Sequence, residues 1–213
     1  NSIYSQGYNP THSLANYFTS YANGISENTL TNIPYKLLTY NEQQAYLGYN
    51  GYFINPENGN QYSSTVNPNG NYFQENSIES KGYNGKIAFN LATEYDKRFY
   101  FGVNLNAHFV NYEMASSFYE DYLDSPGNNT TTGVQASRFT NQLYTYGSGF
   151  SMQLGSIVKL TNEFRIGLTY ESPTWYNLND ELLQTLNVNC PDCVTNAQSF
   201  SASPNITIIY PTY

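Results

Sequence analysis

The sequence predicts an all-β chain: part of an antiparallel transmembrane β-barrel with a long, partly helical extracellular loop. Apolar and polar residues alternate along unusually long segments, and the connections between these segments are alternately very short and long. The polar faces of the segments carry few charges. Outer-membrane barrels combine such alternation with short periplasmic turns and long extracellular loops.

The composition is polar without being charged. Of the 213 residues, 11% are charged, 17% are aromatic and 23 are tyrosine, whereas soluble domains usually contain roughly 25% charged residues. The net charge is −8 with only 8 Lys and Arg, which excludes nucleic acid as a partner because phosphates require clustered cations. No apolar run reaches the length of a membrane-spanning helix, whereas a barrel strand needs only about ten residues of alternating polarity.

Residues 1–81 are predicted to form the end of a strand followed by the long extracellular loop with short helices. One helix is expected to begin near Thr11 and end near Gly24, with apolar side chains at helical spacing: Leu14, Tyr17, Phe18 and Tyr21. A second helix is predicted over about 34–48, and a loop rich in Asn, Gly and Pro follows over 55–77.

Residues 82–213 are predicted to form barrel strands in long hairpins. Segments 82–95 and 99–112 alternate with period two around a polar turn at 96–98, which indicates an antiparallel hairpin. A second hairpin is predicted around the turn at 161–163, with its strands over about 144–159 and 164–171, and a last strand over about 204–213. Linkers at about 116–137 and 179–200 are rich in Asn, Ser, Thr, Asp and Gly, and are predicted to be extracellular loops.

The two faces of these strands suggest different surroundings. The apolar faces begin or end in Tyr and Phe, as in the aromatic girdles at membrane interfaces. The polar faces resemble a barrel lumen, and five of their residues are candidates for binding a polar head group: Asn104, Asn106, His108, Gln153 and Arg165. Arg165 suits a carboxylate, although its position beside the short turn favours a place at the membrane interface.

Motifs for catalysis are absent from the sequence. It contains no nucleophile elbow, phosphate loop or paired metal-ligand spacing, so we expect no enzymatic activity, no cofactor and no metal.

Cys190 and Cys193, in a Cys-Pro-Asp-Cys run, are predicted to form a loop disulfide, with free thiols or a redox role as alternatives. Glu120, Asp121 and Asp124 form an acidic cluster that we interpret as a solvated loop rather than a calcium site.

The stretch 146–176 resembles the FadL/TodX family of outer-membrane transporters for long-chain fatty acids and aromatic hydrocarbons. In that family a Gly-punctuated strand, a short turn and a strand ending in Ser-Pro recur together. Here the corresponding residues are Gly147, Gly149, Gly155 and Ser172-Pro173. The hairpin at 82–112 and the Tyr-rich opening segment resemble the family more weakly.

The resemblance implies a fourteen-stranded barrel, plugged by an N-terminal hatch, in the outer membrane of a Gram-negative bacterium. It also implies a greasy groove among extracellular loops, and the residues we assign to that groove are Tyr17, Phe18, Tyr21, Leu37, Leu38 and Tyr46. These side chains alternatively pack the loop helices onto each other. Because the sequence lacks the hatch and most of the strands, we expect it to be an internal piece of a longer chain.

Three functions follow from these patterns. The first is passive transport of hydrophobic small molecules, with outer-membrane lipid and the hydrophobic ligand as partners. The second keeps the FadL-like barrel but makes it an accessory subunit of a secretion or outer-membrane complex, with a protein as its partner. The third is a soluble β-rich binding module that uses exposed Tyr and Trp175.

Overall fold

The computed structural model describes residues 1–67, 70–123, 132–194, 197–202 and 205–210. The chain begins with a strand, continues through several helices and a small hairpin, and ends in long strands. The α-helices and strands are β1 (Ser2–Asn9), α1 (Leu14–Ala22), α2 (Glu27–Asn32), α3 (Tyr40–Asn50), β2 (Ile54–Glu57), β3 (Gln61–Ser64), β4 (Tyr72–Tyr95), β5 (Phe99–Asp121), β6 (Ala136–Lys159), β7 (Arg165–Glu171), β8 (Trp175–Val194), β9 (Ala197–Ala202) and β10 (Asn205–Tyr210). A 3₁₀-helix over Tyr35–Leu37 precedes α3.

The long strands form one sheet with the order β1-β4-β5-β6-β8-β10, in which β7 also pairs with β6 and β9 with β8. Strand β1 is antiparallel to the first part of β4, from Ser2 opposite Glu79 to Asn9 opposite Tyr72. The pairs β6–β7 and β8–β9 are antiparallel as well. The prediction of a mostly antiparallel β chain is therefore confirmed.

Both predicted hairpin turns are present. Asp96 and Lys97 have φ values of 53° and 52°, which is typical of the type I′ turn that matches the twist of a hairpin. The N–H of Arg98 donates to the carbonyl of Tyr95 at 3.2 Å and closes this turn. In the second turn, the N–H of Leu160 donates to the carbonyl of Phe164 at 3.0 Å.

The strands extend further than the sequence suggested. The loop predicted at about 179–200 is instead strand, because β8 continues to Val194 and β9 begins at Ala197. The loop predicted at about 116–137 is shorter at both ends, since β5 and β6 reach into it. The polar side chains of β8 made this segment resemble a loop in the sequence. Some of them are hydrogen-bonded across the sheet: Thr145 Oγ1 donates to Asp180, and the Tyr146 hydroxyl donates to Glu181 at 3.1 Å.

Local capping sets where the helices begin. Helix α1 begins at Leu14 rather than near Thr11, because Ser13 and Asn16 form a capping box. In place of the second predicted helix there is the 3₁₀-helix, followed by α3. Thr39 and Glu42 form the capping box at the start of α3. The hairpin β2–β3 lies in the segment predicted to be a loop. Among the described residues, no helix is both long enough and apolar enough to cross a membrane.

The chain divides into two compact units. The first comprises residues 1–80, 114–143 and 182–206, and it contains every buried hydrophobic side chain among the described residues. Its centre is a cluster in which Phe18 lies between Phe53 and Phe139, with ring centroids 5.5 Å and 5.7 Å away. The first unit therefore contains a hydrophobic core in which helices pack against strands.

The second unit comprises residues 81–113, 144–181 and 207–213. Among the described residues of this unit, every buried side chain is polar: Asn106, Ser151, Ser172 and Asp180. Strand β7 is exposed on both faces, and so is almost all of β4 within this unit. Large apolar side chains are exposed along its strands, among them Tyr83, Ile87, Phe89, Leu91, Tyr95, Phe101, Phe109, Phe150, Leu154, Leu168 and Tyr170. Soluble monomers rarely expose so many large apolar side chains on neighbouring strands.

Two glycines of the second unit allow close strand packing. A Cβ atom on Gly147 would collide with the carbonyl oxygen of Asn177 on β8, and one on Gly149 would lie 2.9 Å from the carbonyl oxygen of Trp175. The backbones of β6 and β8 therefore approach closely at these positions, as expected for glycine inside a strand.

Candidate functional site

The first unit contains a cavity of about 570 Å³, within the size range of small-molecule binding sites. Its lining residues come from helices α1 and α3, from the residues just before α1, and from strands β1, β4, β5, β6 and β8 of the sheet. Its apolar wall consists of Leu14, Tyr17, Met114, Phe118, Phe139 and Leu182, and its polar wall consists of Asn9, His12, Ser13, Tyr40, Gln74, Ser116, Asn141 and Gln184. We refer to this cavity as the loop pocket.

Aromatic contacts fix the apolar wall of the loop pocket. The ring of Tyr17 lies 6.0 Å from the ring of Phe139 and 4.9 Å from that of Tyr21. Its hydroxyl donates to Gln44 Oε1 at 3.0 Å. Burial is the main cause that raises the pKa of Tyr17, so this side chain is a neutral hydrogen-bonding group at any physiological pH.

A chain of uncharged amides forms one polar side of the loop pocket. Gln44 Nε2 donates to Gln184 Oε1 at 2.7 Å, and Gln184 Nε2 donates in turn to Asn141 Oδ1 at 2.7 Å. Asn141 Nδ2 reaches Ser116 Oγ at 3.4 Å, which is a long hydrogen bond. The Asn141 amide therefore retains capacity to donate to a bound ligand.

A buried carboxylate ties helix α1 to strand β5. Glu120 is fully buried, and its oxygens accept from the N–H of Leu14, the first residue of α1, at 3.0 Å and 3.2 Å. Gln74 Nε2 donates to the same carboxylate. Burial raises the pKa of Glu120, and hydrogen bonds from Tyr122, Leu14 and Gln74 offset only part of that effect. The prediction of a solvated loop is thus wrong for Glu120 and Asp121, which both belong to β5, and Asp124 lies outside the described residues.

The buried carboxylate predicts how the stability of the first unit depends on pH. Because the folded-state pKa of Glu120 is raised, folding takes up a proton: the unit is most stable below the unfolded-state pKa and loses stability as pH rises through the folded-state pKa. Replacing Glu120 with Gln should remove this dependence of stability on pH. The measurement is amide hydrogen exchange in α1 between pH values of about 4 and 8.

Glu120→Ala provides the contrast for this prediction. It should destabilise the unit by about 1–3 kcal/mol because it leaves the buried N–H of Leu14 without its acceptor. Exchange rates in the Ala variant equal to those of the unaltered protein would show that the Glu120 side chain does not hold α1 to the sheet.

The six predicted groove residues lie in different environments. Tyr17 lines the loop pocket, whereas Phe18 and Leu38 are buried in the core, where they pack the helices. Leu37 is 75% exposed and lies outside the pocket. Tyr21 and Tyr46 are half-buried and contact other tyrosines: Tyr21 packs on Tyr17 and Tyr40, and Tyr46 on Tyr35.

Four of the five predicted lumen residues lie together in the second unit. Asn104 Nδ2 donates to Gln153 Oε1 at 3.0 Å, while Asn106 and His108 both contact Ser151 Oγ, at 3.2 Å and 2.8 Å. The Oδ1 atoms of Asn104 and Asn106 are buried and accept no hydrogen bond from the described residues. This row therefore offers acceptors to an N–H or O–H donor.

Arg165 does not join that row. It is exposed and lies opposite Lys159, at the other end of the β6–β7 pairing from Gln153. Its surroundings agree with the expected place beside the short turn, where a second cation is its neighbour across the strands.

The predicted cysteine pair is bonded. A disulfide links Cys190 and Cys193, whose Cα atoms are 5.4 Å apart. These residues lie in β8 rather than in a loop, at a point where the register with β9 shifts between Asn189 and Val194. The disulfide therefore lies at an irregularity in the pairing of β8. Next to it, the N–H of Gly133 donates to Asp192 Oδ1 at 2.6 Å.

Much of the loop pocket was missed in the sequence. Met114, Phe118, Phe139 and Leu182 line it from strands, and two of them, Phe118 and Leu182, lie within linkers predicted to be loops. The adjacent aromatic residues Phe118 and Tyr119 were a signal that β5 continues, because strands favour aromatic side chains. No protein-family model matches this chain, and comparison with curated proteins finds no match either. Membership of the FadL/TodX family stays a prediction.

Proposed function

We propose that this chain is part of a β-barrel in the outer membrane of a Gram-negative bacterium that lets hydrophobic small molecules cross without covalent change. The observation that carries the proposal is the reversed burial in the second unit, where polar side chains are buried and large apolar ones are exposed. Lipid-facing and lumen-facing residues alternate in this way in a membrane barrel. A sheet in water would instead leave this apolar surface exposed to solvent.

The lengths of the strands support a place in the membrane. Within the second unit, β4 contributes residues 81–95, β5 contributes 99–113 and β6 contributes 144–159. A tilted transmembrane strand needs about 9–11 residues, so each of these segments is long enough to span. Exposed Tyr83 and Tyr95 bound the apolar run of β4, as aromatic residues do at the two membrane interfaces.

The loop pocket supports hydrophobic molecules as the cargo. Its apolar wall combines aliphatic and aromatic side chains with a few hydrogen-bonding groups, which is the usual make-up of a site for a small organic molecule. The pocket is proposed as the place where cargo is first captured.

The test measures uptake of a radiolabelled hydrophobic compound by cells with an intact lipopolysaccharide layer that express the full-length protein. Leu182→Trp fills the loop pocket without adding charge, and Ile33→Trp places the same side chain on an exposed position outside it. We expect uptake above vector-only cells for the unaltered protein and the Ile33 variant, and strongly reduced uptake for the Leu182 variant.

Two results would contradict the proposal. Uptake that is unchanged by Leu182→Trp would exclude the loop pocket as the capture site. A protein that gives no uptake, but co-purifies with a second polypeptide instead of small molecules by mass spectrometry, would favour the accessory-subunit alternative.

A further inference from the structure

The walls of the loop pocket lack charged side chains. Among the described residues that line it, none is Lys, Arg, Asp or Glu, and His12 is the one imidazole. The ring of His12 is exposed and its Nδ1 lies 2.9 Å from Thr11 Oγ1. A ligand inside the pocket therefore meets aliphatic carbon, aromatic rings, amides and hydroxyls.

The nearest buried charge has the wrong sign for an anionic ligand. Glu120 contacts two of the residues that line the loop pocket, Leu14 and Gln74. Arg138 precedes the pocket residue Phe139 in β6, and its guanidinium lies 2.9 Å from Ser117 Oγ and 4.9 Å from the ring of Tyr119. By strand alternation, Ser117 and Tyr119 face away from the pocket residues Ser116 and Phe118.

We infer that the loop pocket selects uncharged amphiphiles, such as long-chain alcohols and alkylphenols, over carboxylates of the same chain length; this inference rests on the proposed function of the pocket as a capture site. An alkyl or aryl body would lie against Tyr17, Phe118 and Phe139, and a single hydroxyl would accept from the Asn141 amide. A carboxylate beside Asn141 would find no cation among the lining residues, so the hydration that it loses on binding is not compensated.

The test is equilibrium dialysis of radiolabelled decanol and decanoate against the full-length protein in lipid nanodiscs, with binding to empty nanodiscs subtracted. A pH of about 8 keeps the carboxylate of decanoate ionised. We expect saturable binding of decanol that is tighter than that of decanoate by at least about tenfold, because an unpaired charge is not accommodated.

A matched pair of variants tests the charge argument itself. Leu182→Lys introduces an ammonium group into the wall of the loop pocket, and we expect it to strengthen decanoate binding and remove the preference for decanol. Ile33→Lys adds the same charge outside the pocket and should leave the preference unchanged. This pair separates a local charge effect from a change in the net charge of the protein.

The outcomes distinguish this inference from the proposed function. Saturable binding with decanoate as tight as decanol or tighter would overturn the selection of uncharged ligands but leave the pocket as a capture site. Absence of saturable binding for both compounds would overturn the capture site itself.

Discussion

Replacing Phe89 with Arg should reduce the free energy of folding into a lipid bilayer by about 2–4 kcal/mol, the penalty for a cation at the midplane of a barrel's lipid face. Phe89 is 66% exposed and lies midway along the apolar run of β4 that Tyr83 and Tyr95 bound. Under the proposed function this side chain faces the hydrocarbon core, where an arginine has no partner.

The matched control is Asn90→Arg, one residue further along the same strand. Asn90 points to the opposite face by strand alternation, and it lines a cavity together with the polar residues Asn104, Gln153 and Glu171. The same cation should therefore cost much less there. Folding of the full-length protein from urea into lipid vesicles, followed by the shift of the folded band on a gel, measures both variants.

The comparison also separates the membrane barrel from a soluble module. In water, arginine in place of an exposed Phe89 would increase solubility and leave folding largely unchanged, because surface substitutions usually change stability by less than about 0.5 kcal/mol. Equal effects of the two substitutions would remove the distinction between a lipid face and a polar face on which the membrane proposal depends.

Replacing Phe18 with Ala should destabilise the first unit by about 3–5 kcal/mol, the usual cost of truncating a buried phenylalanine. Phe18 is fully buried, and its ring contacts those of Tyr17, Phe53 and Phe139. A Cβ atom on Gly48 of α3 would collide with this side chain, so α1 and α3 are held together at Phe18 by close packing.

Loss of this contact should loosen both helices and the loop pocket with them. Hydrogen exchange of the α1 and α3 amides should accelerate, and saturable binding of decanol should weaken because Tyr17 and Phe139 lose their support. Leu37→Ala is the control, since Leu37 is 75% exposed on the neighbouring 3₁₀-helix and should change stability by less than about 0.5 kcal/mol. Unchanged exchange in Phe18→Ala would show that the helices are held by other contacts.

The hairpins of the second unit were predictable because their information is local. A period of two over 82–95 and 99–112 specifies two strand faces, and the short polar turn between them fixes the pairing. The structure adds that Asp96 and Lys97 adopt the positive φ values of a type I′ turn. The start of α1 was misplaced by a few residues because Ser13, rather than an earlier residue, supplies the cap.

Strand β8 was missed because its polar residues resemble a loop when read alone. Asp180, Glu181 and Gln184 are accommodated there by partners on β6, namely Thr145, Tyr146 and Asn141. The partners on β6 lie tens of residues away in sequence from the polar residues of β8. The hydrogen bond that a buried Asp180 needs is therefore available only once the strands are paired.

The sequence by itself determined the antiparallel β class, the two hairpins and the lack of charge on the strand faces, because each depends on neighbouring residues and on periodicity. Only the tertiary structure decided the loop pocket, in which Leu14, Met114, Phe139 and Leu182 come together from four distant segments. It likewise decided that Phe18 packs the core while Tyr17, beside it on α1, faces the pocket. A helix presents one side to the core and another to the cavity, and the position of the surrounding strands sets which side is which.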